Sequence, residues 1–168
     1  MPDSRVEIEV EAGAPGPSGA DTVTLLLAAH PGAPLRPIVD AASGGELSRI
    51  MLAIEVSLAA TSQRQRTFVF DEVDAGIGGK AAQAVGERLA VLARTHQVVV
   101  VTHLAQVAAR ADAHVVARKA TDGATTATEV VEVRGEARVA EIARLLSGAE
   151  DSETARAHAQ EMRDEAAA

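Results

Sequence analysis

Apolar and charged residues alternate over residues 5–11 (RVEIEVE), which predicts a strand with one buried face. A second apolar run at 22–30 follows a turn-rich segment at 12–21, so we expect an antiparallel pair of strands at the start of the chain. Apolar residues then recur at helical spacing from about Glu46 to Ala60. The predicted buried stripe of this helix comprises Leu47, Ile50, Met51, Ile54 and Leu58.

Two short apolar runs, at 67–70 and 97–103, each end in polar residues and flank a predicted helix at 80–94. The apolar positions of that helix are Val85, Leu89 and Leu92. The order strand, helix, strand predicts a right-handed parallel crossover. Because both runs are continuously apolar, we expect them at the centre of a parallel sheet, buried on both faces.

The rest of the chain predicts a short helix after His103, a hairpin around the Asp-Gly pair of ATDGAT, and an amphipathic helix at 137–146 that Ser147 and Gly148 end. The expected fold class is therefore α/β, with a mostly parallel sheet, flanking helices and an antiparallel edge hairpin. We assign residues 1–150 to one lobe and 151–168 to a polar C-terminal helix.

Composition narrows the class of protein. Of the 168 residues, 47% are hydrophobic, enough for a core, but only two are aromatic and none is cysteine. The formal charge of −8 argues against broad nucleic-acid binding by this segment, because phosphate contacts need clustered Lys and Arg. No apolar run approaches the roughly 20 residues that span a bilayer. We expect a cytoplasmic protein without a membrane partner.

The first candidate motif is SGGELSR at 43–49. Ser43 and Glu46 have the spacing of a capping box, so one interpretation is a helix start and nothing more. The other is an anion site, because amides at a helix start bind phosphate and the glycines, Gly44 and Gly45, let it approach the backbone. The two interpretations are compatible.

The second motif is DEVD, which follows the strand at 67–70. Ligands of open α/β sheets bind at the carboxyl ends of strands. Asp71 there could hold the water shell of Mg²⁺, and Glu72 could orient an attacking water. The alternative is a set of solvated acids at a strand end, with Asp74 as the third.

The third motif is His103, just past the second apolar strand. It could contact a terminal phosphate or an attacking water, or it could only cap the helix that begins near Leu104. The other histidines lack ligand spacing and are predicted to lie at the surface; they are His30, His96, His114 and His158.

In this order the motifs resemble the carboxy-terminal part of the RecN family, DNA-repair ATPases of the SMC-like branch of the ABC superfamily. The resemblance rests on ASGGELSRIMLAIEVSLA, TFVFDEVDAGIGG and VVVVTHLAQVAARAD, and extends through HPGAPLRPI, KATDGATTATEV and RVAEIARLLSG. It covers most of the chain. Where transporter subunits of the superfamily usually have Asp-Glu-Pro, this chain has DEVD.

The resemblance implies a role for each motif. Ser43, Gly44, Gly45 and Glu46 would form the ABC signature, which contacts the terminal phosphate of an ATP held by a second, identical head. Asp71 would act on Mg²⁺ through water, Glu72 would be the catalytic carboxylate and His103 the switch histidine. A loop crossing the dimer interface would include Asp74, Gly76 and Gly78. Many SMC relatives have Asp where this chain has Gly78.

No G-x-x-x-x-G-K-[ST] stretch occurs in the sequence, so the P-loop that would cradle the phosphates is absent from it. We therefore expect the carboxy-terminal lobe of a longer, nucleoid-associated bacterial ATPase of double-strand break repair, with ATP and Mg²⁺ as cofactors. Its partners would be an amino-terminal lobe carrying the P-loop, a second head, and DNA through the intact protein. Alone, the chain should not hydrolyse ATP. The competing hypothesis is a non-catalytic docking module.

Overall fold

Seven strands and six helices make up the part of the chain that the computed structural model describes, which is residues 3–59, 65–122, 125–148 and 152–167. In order they are β1 (Arg5–Gly16), β2 (Gly19–Ala28), β3 (Arg36–Pro37), α1 (Ile38–Ala41), α2 (Gly44–Ala59), β4 (Thr67–Phe70), α3 (Gly79–Ala93), β5 (Gln97–Val100), α4 (Ala105–Ala108), β6 (His114–Asp122), β7 (Thr125–Val133), α5 (Gly135–Ser147) and α6 (Glu153–Ala167). The strands form three sheets, in the orders β1-β2-β3, β4-β5 and β6-β7.

The antiparallel pair expected at the start of the chain is confirmed. The loop predicted at 12–21 is wrong, because β1 and β2 continue through it and only Pro17 and Ser18 form the turn. A register shift between Ala12 and Gly16 lets β1, an edge strand, carry Pro15 without breaking the hairpin.

The predicted parallel crossover is confirmed: β4 and β5 pair in parallel, from Thr67 opposite Gln97 to Phe70 opposite Val100. A mostly parallel sheet is wrong, however, since the other two sheets of the described residues are antiparallel. The expected α/β class is unaffected, because strands and helices still alternate around the parallel pair.

Burial of β4 and β5 on both faces is also wrong. Phe70 and its neighbours pack under α2, α3 and α4, in a core that includes Leu52, Val73 and Leu92. The opposite face is uncovered within the described residues: Val69 is 69%, Val99 45% and Val101 60% exposed. We call these three residues the open valine face.

Helix α2 lies between two apolar clusters rather than on one. Leu52 belongs to the core under β4 and β5, whereas Ile50 packs with Leu27 and Ile38. The predicted single stripe is therefore wrong in two positions: Met51 is 41% and Leu58 51% exposed. The helix begins two residues before Glu46, and its predicted end, Ala60, lies outside the described residues.

The carboxy-terminal helices pack on one another and on α4. Ile142 of α5 and Ala159 of α6 are fully buried in a cluster that also contains Ala105 of α4. Gly148, in the left-handed conformation with φ of 75°, ends α5 as predicted. The boundary proposed at 150/151 lies outside the described residues, so the division into 1–150 and 151–168 stays a prediction.

The hairpin of β6 and β7 is antiparallel as predicted, although Gly123 of its expected turn lies outside the described residues. Two predicted surface histidines are not fully at the surface. His96 is 5% exposed, with its ring 5.3 Å from that of Phe68, and His114 is half-buried. Among the described residues, no helix has both the length and the apolar character needed to cross a bilayer.

Candidate functional site

The start of α2 is closed by a reciprocal capping box. The backbone N–H and the hydroxyl of Ser43 donate to Oε2 of Glu46, at 2.9 and 3.0 Å, and the N–H of Glu46 faces Ser43 Oγ at 3.4 Å. These bonds from Ser43 lower the pKa of the half-buried Glu46 carboxyl below its usual value. The capping interpretation of SGGELSR is therefore correct. The first-turn amides still lack intrahelical acceptors, so phosphate binding remains compatible with it.

The two glycines of this helix start have different surroundings. A Cβ on Gly45 would lie 2.9 Å from Ala75 Cβ and 3.0 Å from Ala75 O, whereas one on Gly44 would meet nothing closer than Glu72 Oε2 at 3.5 Å. Gly45 is buried and lets the helix pack against the loop that follows β4. Gly44 is exposed, so it alone keeps the open backbone expected of a phosphate contact.

The difference predicts a contrast between two alanine variants. Gly45→Ala should lower the free energy of unfolding by about 1–3 kcal/mol, because the added methyl must displace backbone atoms. Gly44→Ala is the matched control and should leave stability unchanged or slightly higher, since alanine is the better helix former. Urea unfolding followed by circular dichroism measures both. Equal losses in the two variants would contradict the packing role of Gly45.

The loop after β4, residues 71–78, turns its acidic side chains in two directions. Asp71 and Glu72 are exposed, but Asp74 is only 2% exposed and points into the protein. Glu72 has φ of 55°, and among the described residues no other non-glycine residue has a positive φ. A side chain in the left-handed region costs about 1–3 kcal/mol, and such strain clusters at functional sites.

Arg49 of α2 ties this loop to the glycine-rich helix start. Its NH1 donates to the carbonyl oxygens of Val73 (3.3 Å) and Ala75 (2.9 Å), and Ser48 Oγ donates to the carbonyl of Asp71 at 3.1 Å. Sequence reasoning missed both contacts. The available signal was that Arg49 lies one helical turn after Gly45, on the side facing the loop.

The buried Asp74 joins the loop to the turn that follows β5. Its Oδ2 accepts hydrogen bonds from the Thr102 hydroxyl and from the His103 N–H, the latter at 3.1 Å. The alternative of a solvated acid is therefore wrong for Asp74. Its place in a loop that crosses a dimer interface stays a prediction. Gly76 and Gly78 of the same loop are exposed.

The structure thus brings the three predicted motifs to one edge of the parallel pair. Phe70 lies opposite Val100, and Val101 N–H continues the pairing by donating to Phe70 O at 3.0 Å, so DEVD and His103 follow neighbouring strand ends. Arg49 and Asp74 then link helix start, acidic loop and histidine turn in a single hydrogen-bonded unit.

The exposed acids of the DEVD loop could bind Mg²⁺ only together with water and substrate phosphates. No group of three or more potential ligand side chains occurs in the described part of the chain. Mg²⁺ commonly takes one or two carboxylates and completes its octahedron with water and substrate phosphates. The exposed Asp71 carboxylate fits that mode, and an all-protein cage is excluded for the described residues.

Similarity to solved structures identifies the fold. A structure from work on ATP-driven dimerization and DNA-stimulated activation of SMC ATPases matches 81% of this chain and 77% of that chain, with TM-score 0.53 and 20% identity. The Smc head domain of Pyrococcus yayanosii matches 84% of this chain and 26% of that chain, with TM-score 0.62 and 21% identity. The chain therefore has the fold of part of an SMC-type ATPase head, of the P-loop NTPase class.

Within that class the chain is a relative of the DNA repair protein RecN. It is 60% identical to RecN of Streptomyces coelicolor over 163 residues, which is 97% of this chain and 28% of that protein. Identity is 55% with RecN of Mycobacterium leprae and 50% with that of Deinococcus radiodurans, over 90% and 96% of this chain. The chain spans about a quarter of the length of these relatives. No protein-family model matches it.

Proposed function

We propose that this chain is the carboxy-terminal lobe of a RecN-type ATPase of DNA break repair. The observation that carries the proposal is the unit in which Arg49 and Asp74 join the glycine-rich helix start, the acidic strand end and the histidine turn. Each motif alone has a structural explanation. Their assembly at one sheet edge, in a chain similar to RecN, favours a shared chemical task.

Each part of the unit has a proposed role. Asp71 holds Mg²⁺ through water, and Glu72 orients or deprotonates the water that attacks the terminal phosphate. His103 senses that phosphate. The start of α2, with Gly44 exposed, contacts the terminal phosphate of an ATP held by a second head. The bound Mg²⁺ neutralises charge that develops on the phosphates.

Catalysis by this chain needs a second lobe, because positioning and charge stabilisation of the phosphates come largely from a P-loop and its lysine. We place the contact with that lobe on the open valine face. Its three valines are continuous with the strands that end at Asp71 and His103, and such a face is normally covered in parallel sheets. DNA binding belongs to the assembled protein, in the bacterial cytoplasm and nucleoid.

Reconstitution tests the proposal. The chain is mixed with a separately expressed segment of Streptomyces coelicolor RecN that comprises the part this chain does not match. ATP hydrolysis is expected only in the mixture and in neither piece alone. The control is the Val69→Lys, Val101→Lys double variant, which should fold, since both positions are exposed, but should neither associate nor support hydrolysis.

Three outcomes would each contradict a different part of the proposal. Association without any gain in hydrolysis would favour the docking module. Hydrolysis by the chain alone, lost in Asp71→Asn, would show that the P-loop lobe is unnecessary. An unimpaired double variant would place the contact elsewhere.

A further inference from the structure

The His103 ring is held against the buried carboxylate of Asp74. Its Nδ1 lies 3.4 Å from Asp74 Oδ2, while the His103 side chain is 72% exposed and the Asp74 side chain 3% exposed. The ring therefore lies beside the carboxylate on one side, slightly beyond the usual hydrogen-bond length, and is open to solvent on the other. This contact differs from the backbone bond that His103 N–H donates to the same oxygen.

Asp74 is oriented by more than this contact. The Thr102 hydroxyl donates to Oδ2, and Thr102 Oγ1 in turn accepts the Leu104 N–H at 3.0 Å. The carboxylate is thus fixed by groups on both sides of His103. Because the carboxylate cannot rotate away, it favours a donor, not an acceptor, at the ring nitrogen that faces it.

An ionised carboxylate only accepts hydrogen bonds, and a neutral imidazole carries its proton on one of two nitrogens. If Nδ1 presented a lone pair to Asp74, two acceptors would face each other at short range. A proton on Nδ1 removes this repulsion and leaves Nε2 as the exposed nitrogen. The identity of the protonated nitrogen in a histidine is commonly set by the partner of the other one.

We infer that Asp74 is a positioning residue, which holds His103 in its Nδ1–H form and leaves the Nε2 lone pair exposed at the strand edge that carries the DEVD loop. In this form the neutral ring can accept a hydrogen bond from a water at that edge. In this Nδ1–H form Nε2 carries no proton and cannot donate a hydrogen bond to a phosphate oxygen. A contact from Nε2 to phosphate therefore requires the doubly protonated, cationic ring. The chemical consequence rests on the proposed function, but the ring state does not.

The ring state is measurable in this chain without nucleotide. Long-range ¹H–¹⁵N spectra of the ¹⁵N-histidine-labelled chain, at alkaline pH where imidazole is neutral, report the tautomer of each of its five histidines. His103→Gln identifies the signal. The exposed His158 supplies an internal reference for a ring in water. The wild-type His103 signal is expected in the Nδ1–H pattern, unlike that of His158.

Two variants test the cause. Asp74→Ala removes the acceptor that faces Nδ1, so the His103 signal should move towards the pattern of the exposed His158. Thr102→Val removes the neighbouring hydroxyl but keeps the carboxylate, so His103 should stay in the Nδ1–H form. A wild-type ring in the Nε2–H form overturns the inference even if neither variant folds. Since no ATP is used, this result is independent of whether reconstitution yields hydrolysis.

Discussion

Glu72→Gln is expected to abolish ATP hydrolysis in the reconstituted protein while leaving association of the two pieces intact. The glutamine keeps the size and exposure of the side chain but cannot accept a proton from the attacking water. Loss of a general base typically costs about 10²–10⁴-fold in rate. Steady-state phosphate release measures the loss, and gel filtration of the mixture measures association. The exposed Glu129→Gln on β7 is the matched control and should hydrolyse ATP normally.

A second variant at the same position separates backbone strain from chemistry. Glycine adopts the left-handed region without the steric cost that Glu72 carries at φ 55°. Glu72→Gly should therefore be at least as stable as the parent in urea unfolding, yet as inactive as Glu72→Gln. Full hydrolysis by either variant would show that Glu72 is not the catalytic carboxylate. A large loss of stability in the glycine variant would show that its side chain holds the loop.

Most strands and helices of this fold were predicted correctly, because their periodic spacing of apolar residues can be seen within a few consecutive positions. Alternation at 5–11, the short apolar runs of β4 and β5, and helical spacing in α3 each correspond to an observed element. The convergence of DEVD and His103 also followed from sequence, since parallel strands place their carboxyl ends at one edge. The failed predictions concerned the loop at 12–21, the direction of the outer strands and which faces of the elements are covered.

The open valine face shows the reason for the last of these failures. Val69, Val99 and Val101 belong to runs whose composition is typical of strands buried on both faces, and the composition does not say which chain supplies the cover. In a chain that spans about a quarter of its relatives, the predicted neighbours need not belong to the same segment. The mostly parallel sheet was wrong for a different reason, since the first and last strands of the described residues form antiparallel sheets of their own.

The polar contacts between residues distant in sequence were not predicted either. Asp74 belongs to a motif in which acids usually face solvent, and its burial depends on Thr102, 28 positions later. Arg49 looks like an ordinary helix-surface residue until the loop after β4 folds back to it. Such contacts leave no periodic signal, because each involves one side chain and distant backbone atoms.

Arg138→Met is expected to lower the free energy of unfolding by about 2–4 kcal/mol, since charged hydrogen bonds to buried acceptors are costly to lose. Arg138 of α5 is 8% exposed, and its NH2 donates to the carbonyl oxygens of Ala108 and Ala109, at 3.2 and 3.3 Å, and of Ala111. These carbonyls end α4, the helix that begins two residues after His103. Methionine fills the apolar stem but offers no donor to these carbonyls, of which only Ala108 O keeps a backbone partner within the described residues, the Ala111 N–H at 3.3 Å.

An opposing contribution could raise the stability of Arg138→Met, because removal of a buried charge also relieves a desolvation penalty. That penalty lowers the pKa of Arg138, and Arg163 nearby lowers it further. Three backbone acceptors at a helix end outweigh the relief, since methionine offers them nothing. Urea unfolding followed by circular dichroism measures the loss, with the exposed Arg134→Met as the control that should be unchanged. Stability equal to the parent in Arg138→Met would mean that water satisfies these carbonyls, and that α5 does not hold the end of the helix following His103.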